Sequence, residues 1–162
     1  MIVATVVDYL KDRFGGDNIG IVFVYYIHGR RYEQRPTDIY ASILKQVVQA
    51  MATLPDAVIK LYKLHSGSGT RPTVDEIFEV LNSQALDYSR IFLVLDGLDE
   101  CFESEMDYEN KTMIARLLQL ATEGRFSLMA TSRPIPLIAE AFVNNPKIDI
   151  RASNSELELC LE

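Results

Sequence analysis

The sequence is poor in cysteine: Cys101 and Cys160 are the only two in 162 residues. That is too few for a disulfide framework and implies a reducing compartment. No apolar run approaches the roughly 20 residues of a membrane-spanning helix. The apolar N-terminus is interrupted by Asp8, and no basic residue precedes it, so it makes a poor signal peptide. Positive charge is also short. Sixteen Lys and Arg against 23 Asp and Glu leave a formal net charge of −7, which argues against a nucleic-acid surface. Internal repeats, low-complexity tracts and linkers are missing too. What these absences leave is a soluble, cytoplasmic protein with no nucleic-acid or membrane partner. Its hydrophobic fraction of 48% excludes disorder, and its length suits one domain with a sizeable core.

The segment around which the chain is organised is Arg90-Ile91-Phe92-Leu93-Val94-Leu95-Asp96-Gly97-Leu98-Asp99-Glu100. Its unbroken apolar run over 91–95 reads as a strand buried on both faces. Three carboxylates, Asp96, Asp99 and Glu100, follow within five positions. Acids at the C-terminal edge of a buried parallel strand sit where α/β sheets place ligands. There they can hold a hard cation such as Mg²⁺, which prefers oxygen. A carboxylate just past such a ligand can orient a water for attack on a phosphate. The plainer alternative is a turn bearing solvated acids.

Helical periodicity over 2–14 places Ile2, Val3, Val6, Val7, Leu10 and Phe14 on one face, with Gly15-Gly16 as the stop. A second buried strand is expected over 19–27. His28 and the Arg30-Arg31 pair after it read as surface residues. Helices are expected over 36–51 and 55–64. Ser66-Gly67-Ser68-Gly69-Thr70 lacks the Lys and the preceding strand of a phosphate loop, so it reads as a flexible connector. Thr73 and Glu76 form a capping box for a helix reaching about Leu86. An acidic loop over 101–107 comes after the central strand, and Cys101 in it is a packing thiol. Next come a helix over 108–122, a strand over 126–131, a short helix over 136–143, and an edge strand over 147–151 in which Ile148 and Ile150 alternate with charge. Ser153 and Glu156 make a second capping box. Strands alternate with helices, so the class is α/β with a mainly parallel sheet.

Leu93-Val94-Leu95-Asp96-Gly97-Leu98-Asp99-Glu100 resembles the Walker B motif of NACHT-type P-loop NTPases of the STAND class. Thr131-Ser132-Arg133-Pro134 is similar to their sensor motif at the end of the next strand. The pairing most resembles the nephrocystin-3-like N-terminal domains of fungal intracellular receptors, along the whole chain. The resemblance implies that Asp96 holds Mg²⁺, that Glu100 polarises the attacking water with Asp99 in support, and that Ser132 and Arg133 meet the nucleotide, Arg133 at the terminal phosphate. It implies ATP and Mg²⁺ as cofactors. It also places a Gly-rich loop ending in Gly-Lys-Ser/Thr ahead of the helix at Ile2, and a first strand between those at 126–131 and 147–151. The expectation is therefore one incomplete NACHT-type domain over 1–162. It would be a three-layer αβα core lacking the first strand and phosphate loop, inactive alone and binding neither cofactor tightly. Two alternatives stay open. One is a non-catalytic interaction module acting through protein partners or self-association. The other is an unrelated Mg²⁺-dependent phosphohydrolase using Asp96, Asp99 and Glu100.

Overall fold

The computed structural model describes residues 2–15, 18–30, 33–102 and 107–150. Gly16, Arg31, Arg151, the capping box of Ser153 and Glu156, Cys160 and part of the 101–107 loop lie outside the described residues. Three parallel strands form one sheet in the order β1 (Ile19–Tyr25), β2 (Arg90–Asp96), β3 (Phe126–Ala130). Around it lie α1 (Ile2–Phe14), α2 (Pro36–Gln49), α3 (Asp56–Ser66), α4 (Val74–Ala85), α5 (Tyr108–Thr122) and α6 (Pro136–Ala141). Helices cover both faces of a parallel sheet, which is the expected α/β class.

The burial of each strand follows from this layering. In β1, Gly20, Val22 and Val24 are buried while Ile21, Phe23 and Tyr25 are half-buried. One face of the sheet packs Val22, Val24, Ile91, Leu93 and Leu95 into the larger core with Tyr40, Ile43, Leu81, Met113 and Leu117. The other packs Val94 and Phe92 against Val3, Val7 and Leu10 of α1, with Phe14 stacked on Phe92 at 5.2 Å between ring centroids. Ile2, expected on the inner face of α1, is half exposed instead. β2 is thus central and buried on both faces over 93–95. Fully burying side chains of this size stabilises by about 1.5–3 kcal/mol each.

Buried tyrosines tie the helices to this core. Tyr40 donates to Met113 O at 3.1 Å and Tyr88 to Val47 O at 2.6 Å. Burial raises the hydroxyl pKa of Tyr40 and Tyr88 above the ordinary tyrosine value.

The two sheet edges differ. On β1 side chains meet outward backbone groups from Phe23 to Ile27. Gln46 brackets Phe23, accepting from its N–H at 3.1 Å and donating to its carbonyl at 2.9 Å. Gln34 likewise accepts from Ile27 N–H and donates to Tyr25 O. On the far side of β3 no described strand is paired.

The expected edge strand over 147–151 does not form in its described part. Residues 147–150 are irregular, with Ile148 84% and Ile150 63% exposed, and Lys147 pairs with Asp149 at 3.0 Å. Alternating apolar and charged residues suit an edge, but a strand is stabilised by its cross-strand pairs, and no described strand lies beside this segment. Local hydrogen bonds bridge the 66–70 connector. His65 Nδ1 lies 2.7 Å from Thr70 Oγ1, and Ser68 Oγ donates to Leu64 O. The Thr73–Glu76 capping box forms as expected. Its hydrogen bonds, from the Thr73 backbone first, hold the Glu76 carboxyl below the ordinary glutamate value. Among the described residues no helix is long and apolar enough to cross a membrane.

Candidate functional site at the strand ends

The register of the sheet gathers three loops. Tyr25 pairs with Asp96, and Leu95 with Ala130, so the three strands finish flush. The loop after each strand is therefore set down at one sheet edge, the C-terminal one where parallel sheets bind ligands.

The turn after β2 needs Gly97. Its φ is +70°, a left-handed conformation that favours glycine, and an added Cβ would meet Tyr26 O at 3.4 Å. The turn leads into a single 3-10 turn over Leu98–Cys101, with Leu98 and Cys101 buried. Cys101 donates its thiol to Leu98 O at 3.0 Å, the packing role expected of it.

Thr131 fastens this turn to the end of β3. Its Oγ1 donates to Asp96 Oδ1 at 2.5 Å and accepts from Gly97 N–H at 3.1 Å. Its backbone accepts from Leu98 N–H and donates to Leu95 O, both at 2.9 Å. On the other side, Tyr26 N–H donates to Asp96 O at 2.9 Å, fixing the end of β1.

Asp99 and Glu100 then meet Arg133. Arg133 donates to Asp99 from its backbone N–H at 3.0 Å and from Nε at 2.5 Å, and from Nη2 to Glu100 Oε1 at 2.8 Å. Asp99 is nearly enclosed, its side chain 6% exposed, whereas Arg133 is 70% exposed. Burial pushes the Asp99 carboxyl up. The hydrogen bonds from the Arg133 side chain and backbone, with the guanidinium charge, outweigh it and hold the group below the ordinary aspartate value. The same bonds to Asp99, with the Asp99 and Glu100 charges, raise Arg133.

Of the five site residues named from sequence, Asp99, Glu100 and Arg133 are in direct contact. Asp96 joins them through Thr131. Ser132 does not: its Oγ donates to the carbonyl of the next residue, Arg133 O, at 2.6 Å. His28, read from sequence as a surface residue, belongs to the cluster although it is exposed. Its Nδ1 lies 2.6 Å from Glu100 Oε2. The signal was present, since His28 closes the apolar run of β1. What the sequence did not reveal is that β1 lies beside β2.

Among the described residues no group of three or more His, Cys, Asp or Glu is arranged to hold a metal ion. Mg²⁺ in phosphoryl-transfer sites commonly takes one or two carboxylates and fills its shell with water and phosphate oxygens. Asp96 fits that demand. It is half-buried, and Oδ2 makes no hydrogen bond among the described residues, Oδ1 being held by Thr131.

Comparison with curated proteins finds no match. The family model described as Nephrocystin 3, N-terminal matches residues 1–133, most of the chain and every loop of the cluster from His28 to Arg133, and the chain belongs to that family.

Proposed function

We propose that this chain supplies the metal-facing and terminal-phosphate-facing side of a nucleotide site in a NACHT-type signalling NTPase. The observation that carries the reading is the meeting of Asp99, Glu100 and Arg133, with Asp96 one hydroxyl away, at the flush C-terminal ends of adjacent parallel strands. Phosphoryl transfer asks for positioning and charge neutralisation, not covalent chemistry. Asp96 Oδ2 would hold Mg²⁺, directly or through water. A Mg²⁺ bound there would neutralise charge building on the phosphate oxygens. The exposed guanidinium of Arg133 meets the terminal phosphate. Glu100 would accept a proton from the attacking water as the water's oxygen bonds to the terminal phosphorus, the bridging P–O bond breaks and the nucleoside diphosphate leaves. Asp99 keeps Arg133 aligned from its enclosed position.

The 162 residues contain no Gly-Lys-Ser/Thr segment, whose amides, Lys and hydroxyl would hold the rest of the phosphate chain. Calorimetry with Mg·ATP tests the reading. The 162-residue chain is expected to bind weakly or not at all and to hydrolyse none. The same chain preceded by a strand and a Gly-x-x-x-x-Gly-Lys-Thr loop is expected to bind, and Asp96→Ala to weaken its Mg²⁺-dependent turnover. Tight binding by the 162-residue chain, or indifference of the extended chain to Asp96→Ala, would overturn it. One observation favours the non-catalytic interaction module: Asp99 and Glu100 are both already ion-paired to Arg133. An extended chain that binds no Mg·ATP, yet self-associates, would support that second reading.

A further inference from the structure

Resting on the nucleotide-site reading above, we propose that His28 is a positioning residue for Glu100, anchoring Oε2 so that Oε1 becomes the working oxygen when Arg133 leaves it. Both oxygens of Glu100 are held, by groups arriving from opposite sides of β2. His28 follows β1 and its Nδ1 lies 2.6 Å from Oε2. Arg133 follows β3 and its Nη2 lies 2.8 Å from Oε1.

The two holds differ in what releases them. Arg133 also carries its Nε and backbone N–H on Asp99. A phosphate can therefore compete for Nη2 while the bonds to Asp99 keep the guanidinium in place. That exchange bares Oε1 and leaves Oε2 fixed. The His28 ring makes no second hydrogen bond among the described residues, so nothing described draws it away from Oε2. A carboxylate held at one oxygen keeps its plane and presents the other, as an outer partner does for a metal ligand or a general base. A carboxylate only accepts, so Nδ1 carries the proton of this bond, and in the neutral ring Nε2 is left as the acceptor.

The tautomer makes the idea testable without nucleotide. Nitrogen-15 NMR on the 162-residue chain reads which ring nitrogen of His28 is protonated, and carbon-13 NMR reads the Glu100 carboxylate. The expected result is an Nδ1–H ring in the parent and its loss in Glu100→Ala. In Arg133→Ala, which mimics departure of the guanidinium, the Nδ1–H ring persists. His28→Ala should shift the Glu100 carboxylate resonance, and His28→Asn, whose amide can donate from nearly the same place, should restore most of the shift. Because His28 is exposed, neither of its variants threatens the fold. Should Arg133→Ala fail to give a folded amide spectrum, Arg133→Gln, which keeps more of the side chain's length, repeats the reading.

An Nδ1–H signature that vanishes in Arg133→Ala as it does in Glu100→Ala would overturn the proposal, since His28 would then not hold Glu100 alone. A signature untouched by Glu100→Ala would overturn it too. Failure of the extended chain to bind Mg·ATP would instead remove the nucleotide site, and with it the working-oxygen role, while leaving the His28 signature unchanged. The two failures are therefore told apart.

Discussion

Thr131→Val is the sharpest test of how the strand ends are held. Valine keeps the shape and the β-branching of threonine, so the backbone preference at the end of β3 changes little. What disappears is the hydroxyl that donates to Asp96 Oδ1 at 2.5 Å and accepts from Gly97 N–H at 3.1 Å. A hydrogen bond to a charged acceptor contributes about 1.5–3 kcal/mol, and a donor left without its partner costs about 1–3 kcal/mol when enclosed. Thr131 and Asp96 are half-buried, so water replaces part of the loss. The expected destabilisation is therefore about 2–3 kcal/mol. For a chain of this length, each kcal/mol lowers the melting temperature by about 2–4 °C. Melts followed by far-ultraviolet circular dichroism should thus show a fall of roughly 5–10 °C. Thr131→Ser keeps the hydroxyl and should lose less than about 1 kcal/mol. Hydrogen exchange supplies a local reading. Gly97 N–H should lose protection in Thr131→Val, while Leu98 N–H, bonded to Thr131 O, keeps it. A Thr131→Val protein melting within about a degree of the parent, or a Thr131→Ser protein falling as far, would refute the reasoning.

Three further outcomes are expected. Gly97→Ala forces a side chain into φ +70° beside Tyr26 O, and should destabilise by about 1–2 kcal/mol in urea melts, where a neutral result would show that the turn can relax. Asp99 has a folded pKa below its ordinary 3.8. Its contribution is therefore complete above that value and lost as pH falls through the lower folded value, so Asp99→Asn should flatten the acid limb of the stability curve below about pH 4; equal acid limbs would count against it. Leu93→Ala empties a fully buried position and should cost about 2–5 kcal/mol by denaturant titration, with a loss under 1 kcal/mol showing that β2 is not the packed centre of the sheet.

Where local chemistry decides the outcome, the sequence was readable. The helix expected over 108–122 is α5 to the residue, because Asp107 caps it by accepting from Asn110 N–H and Gly124 follows it at φ +91°. Thr73 and Glu76 announce α4 for the same reason. The site acids were legible because an apolar run ending in carboxylates is itself a local pattern. What the sequence left unread about the site and the sheet edge is non-local. Ile148 and Ile150 alternate with charge, but nothing within the segment says whether a strand lies beside it. Ser132 and Arg133 are neighbours, yet only Arg133 reaches Asp99, because its backbone N–H fixes its direction while the Ser132 hydroxyl bonds the adjacent Arg133 carbonyl. His28 is separated from Glu100 by 72 residues, and their contact depends on strand order, which no window around either residue contains.

Strand order also explains why so few residues suffice to build the cluster. In a parallel sheet every strand runs the same way, so equal registers put all the C-terminal loops at one edge. Here β1, β2 and β3 end within one paired position of each other. Three loops then need only one or two well-placed side chains apiece. His28 comes from the first, Glu100 with Asp99 from the second, and Arg133 from the third. Thr131 and Tyr26 fix the separations by bonding to Asp96 from either side, through its side chain and its carbonyl respectively. The charges can therefore face one another without a rigid scaffold of their own, because the sheet ladder has already set their spacing. The same ladder makes the outer edges matter. On β1 the glutamines at 34 and 46 take up outward amides and carbonyls from Phe23 to Ile27, which blunts that end of the edge as a template for another strand. Among the described residues no strand pairs with the far side of β3, the strand whose end carries Thr131 and Arg133.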